Sequence, residues 1–383
     1  MRTTLPLFFA LFWAGISCSW AQVEYTADGQ PTALEEEIRW LLNRGRFDSA
    51  GENTARSTSY GDIPAHSGPV APRQAITLAA RHQSEDLAKT DSFQHETVTG
   101  SLYYNPVTQP NPGDRLQAEG YSWTAVAENI AAGYPTALEA YVGWWNSTGH
   151  RTGMYGNKRE IGIGQFFWED STYGDYYTMD LGNAGSAHFF TDTFYNDANS
   201  NDRYTQGEGV GGVRVDLRIN GVLHSSEDVS TSVGSFAIPL QGIALNSVVE
   251  ILIQNNNASS VTLKIPVNYL YSAPMTLVPN QQQVWGRFTK TSGTANIGFR
   301  DLTLDVGSLP LPALTVSLNG NNSVLSWPSV AGFRYQIQWS DTLATWQNLD
   351  SVQIGQGSTL SVTDTGALAA SAKRFYRVAV SPP

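Results

Sequence analysis

Apolar residues recur at helical spacing in the first part of the chain. The first repeat places four apolar side chains on one face, at i, i+4, i+7 and i+8: Leu34, Ile38, Leu41 and Leu42. Similar spacing predicts helices over about residues 75–89 and 137–145. Runs rich in aromatic and β-branched residues at 161–167 and 176–181 predict strands, and the polar, turn-rich stretch 49–73 predicts a loop.

Beyond residue 182 the helical spacing ends and short β-type runs take over. Five of them, separated by Gly, Asn and Ser, predict a β-sandwich over residues 189–305: 212–219, 234–240, 248–254, 261–267 and 284–289. The prolines of residues 306–312 predict a linker. The tail, residues 313–383, repeats the β pattern and predicts a second, smaller sandwich. The expected fold class is α+β, with a mixed module followed by two all-β modules.

The N-terminus has the three parts of a secretory signal peptide. Arg2 precedes an apolar run at 5–16, and Ser19 and Ala21 provide the small residues before a cleavage site, so residues 1–21 are predicted to be removed. Twelve apolar residues are fewer than the roughly 20 that a membrane-spanning helix needs. Cys18 is the only cysteine, and its removal leaves a secreted chain without disulfides.

Charge and composition narrow the range of partners. The chain has 383 residues, 41% of them hydrophobic, which is sufficient for folded cores. Its net charge of −11 has the wrong sign for binding a phosphate backbone, so nucleic acid is not the expected partner. No apolar run after the signal peptide is long enough to span a membrane, so no membrane span is expected.

Two histidines and a glutamate carry the candidate chemistry of the first module. His95 follows the second predicted helix, His150 follows the third, and Glu128 lies between them in sequence. Two imidazoles and a carboxylate are sufficient to hold Zn²⁺ with an open fourth position. Without metal, the carboxylate could orient a histidine as a general base. A third interpretation is that the three side chains only brace a cleft through hydrogen bonds.

The order of the motifs in this module resembles that of a known family. The motifs lie at residues 79–88, 93–95, 113–116, 120–121, 127–131 and 144–151. Together they resemble the CAP superfamily of cysteine-rich secretory, antigen-five and pathogenesis-related proteins, in particular its bacterial branch, over residues 33–185. The resemblance implies an α-β-α sandwich with a central cleft, and secretion from the cell. Members have been linked to the binding of lipids or sterols, glycans and proteins, and occasionally to proteolysis.

The resemblance also implies a cleft tetrad of two histidines and two glutamates that can bind zinc. His95, Glu128 and His150 match three of its positions, while Ser147 stands where the second glutamate would fall. Because serine cannot hold a negative charge beside a histidine or metal, cation affinity is expected to be lower. With the resemblance, we therefore expect the cleft to bind an extracellular small molecule, lipid, glycan or protein. The alternative is a metal-assisted protease or esterase that uses the same residues.

A second motif opens the first all-β module. Its residues have the spacing of a calcium loop, with side-chain oxygens at positions 1, 3 and 5, a backbone carbonyl at 7 and an acid at 12: Asp197, Asn199, Asn201, Arg203 and Glu208. Asp202 occupies position 6, where helix-flanked calcium loops keep glycine. The run resembles the Sdr-type calcium-binding B repeats of bacterial surface proteins, and the alternative is an Asn/Asp-rich turn that binds nothing. The tail resembles fibronectin type III-like modules, with Trp327 as a core residue.

Overall fold

The computed structural model describes residues 28–291, 293–304, 314–329, 333–343, 345–356, 358–367 and 373–381. The predicted signal peptide at 1–21 and the predicted linker at 306–312 lie outside the described residues. Within the part of the chain that is described, no helix is long and apolar enough to cross a membrane.

The first module contains six helices and a four-stranded sheet. The helices are α1 (Ala33–Phe47), α2 (Ser49–Ala55), α3 (Gln74–Lys89), α4 (Pro112–Ala118), α5 (Ala137–Trp145) and α6 (Thr148–Tyr155). The strands are β1 (Ala71–Pro72), β2 (Ala125–Ala132), β3 (Glu160–Phe167) and β4 (Asp175–Asn183). The strand order β1-β3-β4-β2 makes β2 an edge strand, antiparallel to β4.

Helix α3 covers one face of this sheet at unusually short distance. A Cβ atom added to Gly162 would lie 2.1 Å from the backbone nitrogen of Thr77, and one added to Gly164 would lie 2.3 Å from that of Arg81. These two glycines of β3 therefore let the helix backbone approach the strand closely. The alternate residues Ile161 and Ile163 point to the opposite face, where they pack with α1, α5 and α6. The first module is thus built as helix, sheet and helix layers.

Helix α2 lies in the stretch that the sequence predicts as loop, so that prediction is wrong for residues 49–55. The Asp48 side chain caps the helix by accepting a hydrogen bond from the Gly51 amide at 2.9 Å. Glu52 is fully buried between Arg44 and Arg56, at 3.1 and 2.7 Å. Tertiary ion pairs therefore stabilise a helix that is too short and polar to show apolar periodicity.

The next part of the chain is rich in strands, as its sequence predicts. The strands are β5 (Phe189–Thr193), β6 (Val213–Ile219), β7 (Val222–Val229), β8 (Ser235–Pro239), β9 (Val248–Asn255), β10 (Val261–Pro266), β11 (Ser272–Leu277), β12 (Gln282–Thr289) and β13 (Thr303–Leu304), with a 3₁₀ turn at Phe299–Asp301. Five of them form a sheet in the order β13-β12-β9-β6-β7, and β10-β11 and β5-β8 form two-stranded sheets. Their inward apolar side chains share one core.

Buried polar contacts join this β region to the first module. Arg39 of α1 donates to the Asp192 carbonyl at 3.1 Å and to the Thr193 hydroxyl at 2.8 Å. The Tyr269 hydroxyl donates to the buried Glu52 carboxylate at 2.7 Å. Asn296 donates to the carbonyls of Pro69 and Arg159 at 2.8 and 2.6 Å. Because each bond leaves a buried group unsatisfied if it breaks, the two regions hold each other in place.

The tail is also built of strands. They are β14 (Thr315–Asn319), β15 (Asn322–Pro328), β16 (Arg334–Ser340), β17 (Gln347–Asn348), β18 (Gln353–Ile354), β19 (Thr359–Asp364) and β20 (Phe375–Ser381). The order β14-β15-β19 gives one sheet, and β16 pairs with β17, β18 and β20 in another. Trp327 is 1% exposed and contacts Tyr335 with ring centroids 6.2 Å apart, so it lies in the core of the tail.

Candidate functional site

Glu128 lies on edge strand β2 and points to the sheet face that α3 covers. Its cross-strand partner is Asp180 of β4, and Asp180 is in turn opposite Gly162 of β3. Residues directly opposite one another in a sheet point to the same face, so all three positions face α3. Since β2 has no further strand beyond it, Glu128 lies where a buried face meets the edge of the sheet.

Both oxygens of the Glu128 carboxylate are engaged. The His95 Nδ1 atom lies 2.9 Å from Oε1, and the Arg115 Nη2 atom donates to Oε2 at 2.5 Å. The Arg115 guanidinium is fully buried and also donates to the His95 carbonyl at 3.0 Å. Glu128 is 2% exposed, whereas the His95 ring is 49% exposed. A buried ion pair thus holds a histidine whose ring is about half exposed.

His150 lies in α6, next to the same edge strand. Its carbonyl accepts a hydrogen bond from the side-chain amide of Asn129 at 3.1 Å, which joins α6 to β2 beside Glu128. Arg151 anchors the helix by donating to the Asp62 carboxylate at 2.6 Å. Ser147 is the residue before α6 and its hydroxyl makes no capping hydrogen bond. The structure therefore places His150 and Ser147 at the β2 edge, with Ser147 at the helix start.

The two imidazoles have pKa values that move in opposite directions. The hydrogen bond from His95 to the Glu128 carboxylate raises the pKa of His95 above its ordinary value of 6.5. Burial lowers the pKa of His150, and the nearby His95 lowers it further. The two rings are thus close enough to influence each other. Near neutral pH the pair combines a readily protonated histidine with a neutral one.

Asp180 is a buried carboxyl directly beneath Glu128. It is fully buried, and neither of its oxygens accepts a hydrogen bond from a donor of the described chain. The charged groups that affect the pKa of Asp180 are Glu128 and Arg115. The charge of Asp180 in turn raises the pKa of Tyr104. Burial and the adjacent Glu128 raise the pKa of Asp180 well above its ordinary value. Burial beside Glu128 therefore favours the neutral form of the Asp180 carboxyl.

The cleft residues do not fit the predicted zinc site in this arrangement. Glu128 already bonds His95 and the cationic Arg115, so its carboxylate is not free to be a third ligand beside the histidines. Across the described ranges no group of three or more His, Cys, Asp or Glu side chains is arranged to hold a metal ion. Ser147 contributes no negative charge that would help these residues to bind a metal ion.

The predicted calcium loop is closed by protein groups. Asp197 Oδ1 accepts from the Asn201 amide at 2.9 Å, and Glu208 accepts from the amides of Ala198 and Thr205 at 3.0 and 2.9 Å. The Lys264 ammonium of β10 lies 2.6 Å from Asp197 Oδ2.

The remaining loop positions also make local bonds. The side chains of Asn199 and Asn201 donate to the Thr205 hydroxyl at 3.0 and 3.1 Å, and the Arg203 amide donates to Asn201. Lys264 also pairs with Asp202. Burial lowers the pKa of Lys264, but the bonds to Asp197 and Asp202 outweigh that effect and raise it. The loop therefore already binds a cationic group of the protein, the Lys264 ammonium.

Sequence reasoning did not assign roles to Arg115 and Asp180. Arg115 lies inside one of the quoted motifs, at 113–116, but spacing alone does not show that it meets Glu128. The sequence does mark Asp180 as unusual, because it is the one carboxylate in the predicted strand at 176–181. A charge at such a position is expensive unless it is paired or neutralised.

A comparison with protein families identifies this part of the chain. Residues 43–205 match the family model described as CAP, the cysteine-rich secretory protein family. This stretch, which is less than half of the chain, is similar to a CAP domain. The match runs past the predicted domain boundary at residue 185 and ends inside the Asp197–Glu208 loop. No curated protein matches the sequence.

Two solved structures are similar to parts of the chain. One is an extracellular protein with an SCP domain from Bacillus anthracis, at 24% identity and a TM-score of 0.26, covering 37% of this chain and 40% of that one. The other is an outer surface protein from Borrelia burgdorferi, at 16% identity and a TM-score of 0.25, covering 30% of this chain and 77% of that one. The chain thus matches less than half of the Bacillus protein.

Asp180→Asn is expected to stabilise the CAP domain in a pH-dependent way. The folded chain holds a proton on Asp180 that the unfolded chain releases above pH about 4, so the wild type loses stability as pH rises from there. Because asparagine does not titrate, the variant does not lose stability in this way. The advantage of the variant should grow by up to about 1.4 kcal/mol per pH unit above pH about 4 and vanish below it.

Urea unfolding at several pH values measures this difference. The exposed Asp350→Asn change is the matched control and should leave the pH dependence as it is. A stability difference between variant and wild type that does not change between pH 4 and pH 7 would contradict the raised pKa of Asp180.

Proposed function

We propose that the chain is a secreted protein whose CAP domain binds an extracellular ligand in the cleft of His95, Glu128 and His150. The observation that carries this proposal is the half-exposed imidazole of His95, held at the β2 edge by the buried pair of Glu128 and Arg115. Such a fixed polar group positions a ligand at little entropic cost. The secretory location rests on the predicted signal peptide and the CAP match.

Two exposed aromatic rings, one of them two residues before His95 in the sequence, favour a glycan among the lipid, glycan and protein ligands that the family resemblance implies. Phe93, two residues before His95, is 49% exposed, and Tyr173 is 52% exposed. Their ring centroids are 6.2 Å apart. Exposed rings offer flat apolar surfaces to the C–H faces of sugars, while His95 supplies a directed polar contact. A few placed polar groups among aromatic ones are typical of ligand sites.

A hydrolase is the second candidate, and one observation favours it. The pKa of His95 is raised and that of His150 is lowered, which is how one site supplies both an acid and a base. However, Glu128 is held by Arg115 as well as by His95, so it is a poor proton acceptor for a reaction. Binding is therefore the better-supported function.

A glycan and lipid array probed with the mature full-length chain tests the proposal. We expect binding to a glycan that weakens at least about tenfold in His95→Ala and in Phe93→Ala, since each removes a direct contact. His224→Ala, on β7 of the following β region, is the matched control and should bind like the wild type. Retention of a lipid and of no glycan would contradict the glycan assignment.

Activity assays separate the two candidates. Turnover of casein or a generic ester that disappears in His150→Ala, with the fold intact by circular dichroism, would overturn the binding-only function.

We also propose that calcium and the Lys264 ammonium compete for the Asp197–Glu208 loop. The side-chain and backbone oxygens of this loop are of the hard type that Ca²⁺ prefers, and extracellular sites function at about 10⁻⁴–10⁻³ M. Lys264 lies against Asp197, the first oxygen donor of the calcium spacing. A calcium ion would therefore have to displace the lysine.

Lys264→Met should bind calcium about tenfold more tightly than the wild type, because a unit charge in contact with the site is removed. Calorimetric titration with CaCl₂ measures this, and Lys89→Met on α3 is the matched control. Calcium binding that is equal or weaker in Lys264→Met would contradict the competition, and absence of binding in both would contradict the calcium site.

For the C-terminal part we propose two accessory modules that display the CAP domain. The strands between residues 189 and 304 support a module of the Sdr B-repeat type, and the two sheets of the tail support a fibronectin type III-like module.

A further inference from the structure

A second cleft lies on the other side of the first module, at its junction with the β region. It has a volume of about 250 Å³. Three chain segments and one side chain line it: residues 64–69, 155–159 and 294–296, and Arg46 of α1. It shares no residue with the His95 cleft.

The lining of this cleft is positively charged in an acidic protein. It contains Arg46, Lys158, Arg159 and His66, and none of its lining residues is Asp or Glu. Among the ion pairs of the described residues, none involves Arg46, Lys158 or Arg159. Among the four basic side chains of the lining, His66 has an acidic neighbour, with its Nε2 atom 3.4 Å from the Asp301 carboxylate. The lining thus contains two arginines and a lysine but no carboxylate, in a chain of net charge −11. The guanidinium of Arg159 itself bonds the carbonyls of Gly185 and Ala187, which lie outside the lining.

Arg46 is the most unusual of these groups. It is 3% exposed, and its guanidinium donates only to backbone carbonyls: those of Gly68, Met154, Gly156 and Lys158, at 2.7, 2.6, 3.1 and 3.0 Å. Burial lowers the pKa of Arg46 to about 10. Carbonyl dipoles orient and partly stabilise this charge, but they do not neutralise it. A buried charge without a counter-ion is costly, and an anion nearby would offset that cost.

Lys158 supplies the group that can reach a ligand. It is half-buried, and in the described part of the chain its ammonium has no carboxylate partner. Its backbone carbonyl accepts from Arg46, so the side chain can be changed without removing that bond. Arg159 is 9% exposed and is fixed by the carbonyls of Ala187 and Gly185 at 2.7 and 2.5 Å.

The cleft is held in shape before any ligand arrives. The Asn296 side chain donates hydrogen bonds to the carbonyls of Pro69 and Arg159, and these bonds join the three segments that line the cleft. A Cβ atom on Gly68 would lie 2.6 Å from the Asn296 carbonyl oxygen, so only glycine permits this close approach. A fixed arrangement of cations lowers the entropic cost of binding.

We propose that this cleft binds a small oxyanion, namely a phosphate, sulfate or carboxylate group, with Lys158 as the direct contact and Arg46 as the buried source of positive potential. Its volume is below the roughly 300–1,000 Å³ of drug-sized sites, which fits a single anionic group rather than a large molecule. The site is independent of the function proposed for the His95 cleft.

Calorimetric titration of the mature full-length chain with sodium phosphate, sodium sulfate and sodium acetate, in separate arms at constant ionic strength, tests the proposal. We expect saturable binding of at least one anion and a dissociation constant at least about tenfold higher in Lys158→Glu. Arg287→Glu, an exposed charge reversal on β12, is the matched control and should bind like the wild type. The arms distinguish a tetrahedral anion from a carboxylate.

The ring signals of His66 provide a second measurement that does not depend on a variant. They should shift on anion addition and remain constant when sodium chloride is added instead. No saturable binding in any arm, or equal weakening by Lys158→Glu and Arg287→Glu, would overturn the proposal.

Discussion

The buried carboxylate of Glu128 is the interaction on which the candidate site depends. Arg115 neutralises it from inside the module, which allows a charge to remain 2% exposed. With its other oxygen Glu128 fixes His95 at the sheet edge. Removing either partner would leave a buried charge unpaired, which costs several kcal/mol. Asp180 adds a second constraint from below, since its burial beside Glu128 raises its pKa. The charge states of four side chains, from two strands, one helix and one loop, thus depend on one another.

Buried arginines serve the first module and the following β region in different ways. Arg39 pairs with Glu36 at 2.6 Å and also reaches β5, so an ion pair joins the two regions. Arg46 has only carbonyl partners and leaves positive potential at the junction. The first arrangement stabilises a contact within the chain, and the second is suited to an external anion. The same residue type, at two positions of one helix, therefore supports structure and binding.

The sequence predicted those elements whose stability follows from local patterning. Helices α1, α3 and α5 and strands β3 and β4 lie where apolar spacing and β-type runs indicated them. Helix α2 did not follow from any pattern, because Glu52, Arg44 and Arg56 stabilise it through tertiary contacts. The motifs singled out His95 and Glu128, which the structure brings to 2.9 Å. Arg115 and Asp180 could not be assigned, since their roles depend on strand register and on how α4 docks. Lys264 reaches the Asp197 loop from 67 residues away, a contact that local spacing cannot show.

The most direct test is the pKa of His95, measured by NMR on histidine-labelled full-length protein with and without Glu128→Gln. If the Glu128 carboxylate holds His95, the wild-type value lies above 6.5 and falls in the variant, because the accepting charge is gone. His95 values that are the same in both proteins would contradict the account.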